Sequence, residues 1–186
     1  MVATRAKPVT VEELWGMRGE PFRLALIDGK LYRMPGAGGT HGALQMTLGM
    51  HLGPFILTRK LGKIYGDTGF RLIADRDTTL FPDVAFVRSE RVPALEQEER
   101  FLRLAPDLAI EIYSPNDYPK LLQEKLAEYL AAGTIVVWVL YPRSRAVHIH
   151  RPGEVEVVLG PDDMLEGGDI LPGFTIRVGD LFVAPY

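Results

Sequence analysis

The sequence predicts an α/β fold: a mixed central sheet flanked by helices, with β-hairpins near both the N-terminal and C-terminal ends. Three stretches carry this expectation. In residues 106–140, Leu108, Ile110 and Ile112 alternate with Ala109, Glu111 and Tyr113, a period of two that reads as a strand. A helical pattern follows, and then Ile135 to Leu140, apolar on both faces as a strand covered by helices on both sides is. In residues 41–58, Leu44, Leu48, Leu52 and Phe55 recur every three or four positions and predict a second helix. Near the N-terminus, Asp28-Gly29 joins two apolar runs, Phe22 to Ile27 and Lys30 to Met34, the strongest hairpin signal in the chain. The resulting order is helix, three strands, helix, strand and a hairpin-rich extension, which layers helices on a sheet. With 186 residues and 47% hydrophobic content, one domain spanning 1–186 is expected, residues 1–8 being loose.

Taken in order, Thr10 and Glu13 form a capping box and Val9 with Leu14 a hydrophobic staple, so a short helix starts at about residue 10. After the hairpin, the glycines of GAGG (36–39) lack the Gly-Lys-Ser/Thr of a nucleotide phosphate loop, and a loop beside a cleft is expected. His41 follows, at the start of the second helix, where it either meets a substrate phosphate or metal-bound water or caps the turn. Gly49, Gly53 and Pro54 weaken the second half of that helix, and His51 on its apolar side reads as a core or interface residue. Lys63 to Tyr65 and Phe70 to Ala74 read as strands, followed by a turn at 75–77 and a strand from Val84 to Val87. Residues 88–106 mix both charge signs and read as a solvated connection with a short helix. In AVHIHR, His148 and His150 share one strand face; such a pair can bind metal, but two exposed polar residues alternating with Val147 and Ile149 is the simpler account.

The chemistry centres on Glu111. A carboxylate in a run this apolar needs a partner, because removing it from water unpaired is costly. Asp83, embedded at the head of its own apolar strand, converges with it if both lie at one end of the sheet, and two such carboxylates suit a hard divalent cation. A lysine is the third candidate, and helix geometry chooses which. Pro119 suits the first turn of a helix over 118–132, Asn116 or Asp117 its cap and Gly133 its end. Leu122, Leu126, Tyr129 and Leu130 form its apolar stripe. At about 100° per residue, Lys125 lies roughly 85° from the stripe's centre and Lys120 roughly 135°. Lys125 therefore flanks the buried face, while Lys120 points to solvent and can pair with Glu124.

The pattern PDV, IEIYSPND, a Lys followed four residues later by Tyr, then Gly and an apolar strand, resembles the Uma-two family of restriction-endonuclease-like proteins, within the PD-(D/E)XK nuclease superfamily. IDGKLYRMP, the His after a Gly-rich loop and LPGFTIRVGDLF extend the resemblance over nearly the whole chain. It implies a restriction endonuclease-like core and hydrolysis of phosphodiester bonds of nucleic acid, DNA in particular, with Mg²⁺ or Mn²⁺. The implied metal ligands are Asp83, Glu111 and the backbone carbonyl of Ile112, and the implied lysine is Lys125. Two positions depart from the pattern. The superfamily's lysine position, two after the Glu, holds Tyr113, so the lysine comes from the next helix; and Ala25 stands where relatives commonly carry Glu.

Net charge is −3, which gives no global attraction to DNA. Contacts to phosphate must come from local groups, with His41 and Arg71 as candidates beside Arg18, Arg23 and Arg33. Cutting both strands of a duplex needs two sites, which a homodimer supplies. The competing reading is the same fold serving as a binding or regulatory protein with weak or no catalysis. No apolar run approaches about 18 residues, the N-terminus lacks an apolar signal region, and there are no cysteines, so a cytoplasmic protein without membrane association is expected.

Overall fold

The computed structural model describes residues 8–17, 22–73, 77–94, 100–114 and 118–182. Its framework is a six-stranded sheet in the order β10-β9-β8-β7-β6-β3. The strands are β3 (Gly62–Gly66), β6 (Val84–Arg88), β7 (Leu108–Ile112), β8 (Val136–Tyr141), β9 (Ala146–His150) and β10 (Val157–Leu159). β7 and β8 pair in parallel and the other neighbours antiparallel, so the sheet is mixed.

Side-chain alternation divides the sheet into two apolar faces. On one, Val84, Phe86, Leu108, Ile110, Trp138 and Leu140 pack against Leu44, Leu48, Leu52 and Ile56 of helix α2 (Gly39–Thr58). On the other, Ala85, Val87, Ala109, Val137 and Val139 pack against Leu121, Leu122, Leu126 and Tyr129 of helix α3 (Pro119–Ala131). Glu111 continues the row of Ala109 and faces α3. Small residues on that face leave room for the helix to sit close.

The hairpin forms as its turn demands. Strands β1 (Arg23–Ile27) and β2 (Lys30–Met34) pair in register around Asp28 and Gly29, whose φ values of 47° and 72° are both left-handed. Helix α1 (Val11–Gly16) begins with the Thr10–Glu13 capping box, and Val9 and Leu14 share a small apolar cluster. A second hairpin, β11 (Met164–Glu166) with β12 (Thr175–Arg177), leads into the short α4 (Val178–Leu181) near the C-terminal end.

The structure adds a second, four-stranded sheet, β2-β1-β5-β4, to the single sheet the sequence predicts. β4 is Phe70–Ile73 and β5 is Thr78–Leu80, a strand absent from the sequence reading. Three residues are too few to display a period of two, and all three are buried. α2 runs through Pro54 to Thr58 despite its glycines. In the charged connection only a 3-10 turn, Ser89–Arg91, is helical among the described residues. The N-cap of α3 is Tyr118, without a side-chain cap bond, rather than the expected Asn116 or Asp117; those two residues, the turn at 75–76 and Arg18 lie outside the described residues. No helix among the described residues is long and apolar enough to cross a membrane.

Candidate active site

Antiparallel pairing of Val84 with Ile110 brings the start of β6 level with the end of β7. Asp83, one residue before β6, therefore arrives beside Glu111 and Ile112. Its Oδ2 accepts the Ile112 backbone N–H at 2.6 Å, which ties the two strand ends together. Its Oδ1 accepts from Arg23 at 2.8 Å and lies 2.9 Å from His41 Nε2. His41 comes from the first turn of α2, on the opposite face of the sheet, and Arg23 opens β1.

Glu111 is gripped from α3. Lys125 donates to one carboxylate oxygen and Tyr129, one turn on, donates to the other at 2.8 Å. An i, i+4 pair shares one helix face, so a single helix fixes both oxygens. Glu111, Lys125 and Tyr129 are all buried, as is Asp83. Lys120 is 89% exposed and 3.9 Å from Glu124, which is the contrast the helical angles predict.

Burial and charge pull the two carboxyls apart. Burial tends to raise Asp83, but the His41 hydrogen bond and the nearby charge of Arg23 outweigh it and hold the group below the ordinary aspartate value. Glu111 is raised: burial dominates, opposed by Lys125 and reinforced by the negative charge of Asp83. Tyr129 is pushed well above its ordinary value by burial and then by Glu111, so it stays a hydrogen-bond donor.

Hard oxygen ligands of this kind suit Mg²⁺ or Mn²⁺. Each carboxylate oxygen has two lone-pair directions. Asp83 Oδ1 spends both on Arg23 and His41, whereas Asp83 Oδ2 and both oxygens of Glu111 each accept one of the donors named and keep one direction free. By donor count, these oxygens can ligate a cation without giving up the hydrogen bonds named. No cage of three or more His, Cys, Asp or Glu side chains exists among the described residues, so a metal here rests on two carboxylates and backbone or water oxygen.

Arg71 is not joined to this cluster; its guanidinium lies 3.5 Å from Glu12 and 4.0 Å from Asp77. Ala25 is fully buried in the apolar layer behind β1. His148 and His150 are half-buried rather than exposed, and His148 Nδ1 lies 2.9 Å from Glu156. The sequence reading takes Tyr129 as stripe filler, and the signal that reveals it is its spacing of four from Lys125. Arg23 reaches Asp83 across 60 residues of sequence, and no local pattern announces that contact.

A cleft of about 630 Å³, lined by His41, Ile112 and Tyr113 among others, opens beside the cluster. A much smaller cavity lined by Arg23, Glu111 and Lys125 shares Ile112 and Tyr113 with it.

Comparison with curated proteins finds no match. A crystal structure described as "a putative nuclease belonging to DUF820 from Anabaena variabilis" superposes with a TM-score of 0.82 at 23% sequence identity, covering 94% of this chain and 98% of that one. At that identity the likeness establishes the fold. The family Uma2, described as "Putative restriction endonuclease", matches residues 11–179, which include every residue of the cluster. The chain belongs to the Uma2 family.

Proposed function

We propose that the protein is a metal-dependent endonuclease of the PD-(D/E)XK type that hydrolyses phosphodiester bonds of DNA, acting in the cytoplasm as a homodimer. The observation that carries this reading is the buried Glu111, held by Lys125 and Tyr129 beside an Asp83 held by Arg23 and His41. A structural ion pair needs one carboxylate and one cation, whereas here two carboxylates are oriented at one end of the sheet.

Asp83 and Glu111, with the Ile112 carbonyl, would hold Mg²⁺ or Mn²⁺, which when bound supplies Lewis acidity and neutralises phosphate charge. Tyr129 and Lys125 fix the Glu111 carboxylate in one orientation, and Arg23 and His41 do the same for Asp83. The Lys125 ammonium group orients the attacking water and stabilises the charge that develops on the phosphoryl oxygens. Water adds through its oxygen to phosphorus, the bond to the leaving oxygen breaks, and the proton released ends on that oxygen.

Cation binding has a signature independent of cleavage. Mn²⁺ raises the melting temperature of the wild type and leaves an Asp83→Ala, Glu111→Ala variant unmoved. The shift shrinks as pH falls, because the raised carboxyl of Glu111 holds a proton that competes with the cation. Without metal the sign reverses: a raised carboxyl favours the folded state at low pH, and that contribution is lost as pH rises through its shifted value. Thermal melts with and without Mn²⁺ across this range check both statements. Equal shifts in the two proteins would remove the metal site.

A further inference from the structure

The cleft beside the carboxylates has a lining that, His41 apart, catalysis as described does not use. Its lining includes the N-terminus of α2, with Gly38, Gly39, Thr40 and His41, together with Tyr141 at the end of β8 and Arg143 just beyond it. Gly38 is the N-cap and offers no side-chain cap, and the first turn carries no acidic residue. The backbone N–H groups of Gly39, Thr40 and His41 have no acceptor among the described residues, as the first N–H groups of any uncapped helix do not. A helix of 20 residues presents a partial positive charge there.

Two further observations point to a ligand. His41 is 6% exposed, spends Nε2 on Asp83, and has a buried Nδ1 with no partner, although its ring lines the cleft. The glycines also lack an internal reason: Gly36, Gly38 and Gly39 all avoid positive φ, and a Cβ on any of them would meet nothing within 4 Å. Bare backbone that faces open space lets an outside group approach closely. Arg143, an exposed residue that lines the same cleft, supplies a full positive charge there.

We propose that the α2 N-terminus, His41 and Arg143 form a subsite for a backbone phosphate next to the one being cut. This deepens the nuclease reading and rests on it for the ligand's identity. Because His41 touches both Asp83 and the cleft, a phosphate seated here sets the register of the strand over the carboxylates. The subsite also answers the net charge of −3: attraction is concentrated at one helix end rather than spread over the surface.

The test uses a fluorescein-labelled duplex oligonucleotide, and its single strand, in EDTA so that no hydrolysis occurs. Gly39→Glu puts a carboxylate at the helix end, where it favours the helix but repels phosphate. Met46→Glu adds the same charge on the exposed side of α2, where Met46 is 65% exposed, and serves as control. Gly39→Glu is expected to weaken binding by about tenfold while its melting temperature holds or rises. Arg143→Ala is expected to weaken binding severalfold and reduce the salt slope by about one, and Met46→Glu to bind within about twofold of wild type. The subsite is overturned if Gly39→Glu binds no worse than Met46→Glu, or if the wild type binds neither probe at low salt. Plasmid cleavage with Mn²⁺ separates the two readings. Binding lost in Gly39→Glu without wild-type cleavage leaves the subsite and removes the nuclease; cleavage with normal Gly39→Glu binding does the reverse.

Discussion

Replacing Lys125 by Ala is expected to lower turnover by about two orders of magnitude or more, because in the proposed mechanism its ammonium group acts where charge develops in the transition state. The same change also costs stability. Lys125 is 5% exposed and paired with Glu111, so its loss leaves a buried carboxylate supported by Tyr129 alone, a penalty of about 3 kcal/mol for breaking a buried pair. Glu111 can limit that cost by taking up a proton, to which its raised carboxyl is already disposed. Lys120→Ala, at an 89% exposed position, should alter neither rate nor melting temperature appreciably. Steady-state rates and thermal melts on both variants decide the matter. Damage from Lys120→Ala, or an unimpaired Lys125→Ala, would contradict the arrangement.

Asp83→Ala is expected to be the most destabilising change at the site. The carboxylate is fully buried and serves three donors: the Arg23 guanidinium, the His41 ring and the Ile112 N–H. Truncation leaves all three without their acceptor, one of them charged, at a cost of about 3–5 kcal/mol. In a chain of this size that corresponds to a fall in melting temperature of roughly 10 °C. Asp83→Asn keeps the shape and one acceptor oxygen and should recover much of the stability but none of the cation binding. An Asp83→Ala protein melting within a degree or so of wild type would mean that these donors find other acceptors. Two metal-free carboxylates side by side ordinarily repel, but here Arg23 and Lys125 supply the compensating charge.

Legibility in the sequence followed the range of the interactions. Contacts set within one element could be read directly: the Asp28-Gly29 turn, the Thr10–Glu13 cap and the angular choice of Lys125 over Lys120 all depend on neighbours a few residues away. Convergence of Asp83 and Glu111 was legible because each sits at the margin of an apolar strand that has to be buried. β5 was not, since Thr78, Thr79 and Leu80 take their strand geometry from β1 and β4 rather than from any pattern of their own. Arg23 likewise reaches Asp83 only through the second sheet that β5 completes. Tyr129 was visible as an apolar position but not as a donor, because a stripe pattern registers the ring and not its hydroxyl. The glycines before α2 announced a loop beside a cleft, while the unpartnered His41 Nδ1 could emerge only once Asp83 was known to occupy the other ring nitrogen.

The most direct measurement is cleavage of supercoiled plasmid DNA by the purified wild type and by Glu111→Gln, each with Mn²⁺ and with EDTA. Glu111→Gln keeps an oxygen for Tyr129 and the volume of the side chain while removing the charge a cation needs. Conversion of plasmid by the wild type in Mn²⁺ only, with at least about a hundredfold less by a folded Glu111→Gln protein, is the predicted result. Cleavage that survives in EDTA, or that Glu111→Gln performs as fast as the wild type, would contradict a metal-dependent site at Asp83, Glu111 and Lys125; so would a wild type that leaves the plasmid intact.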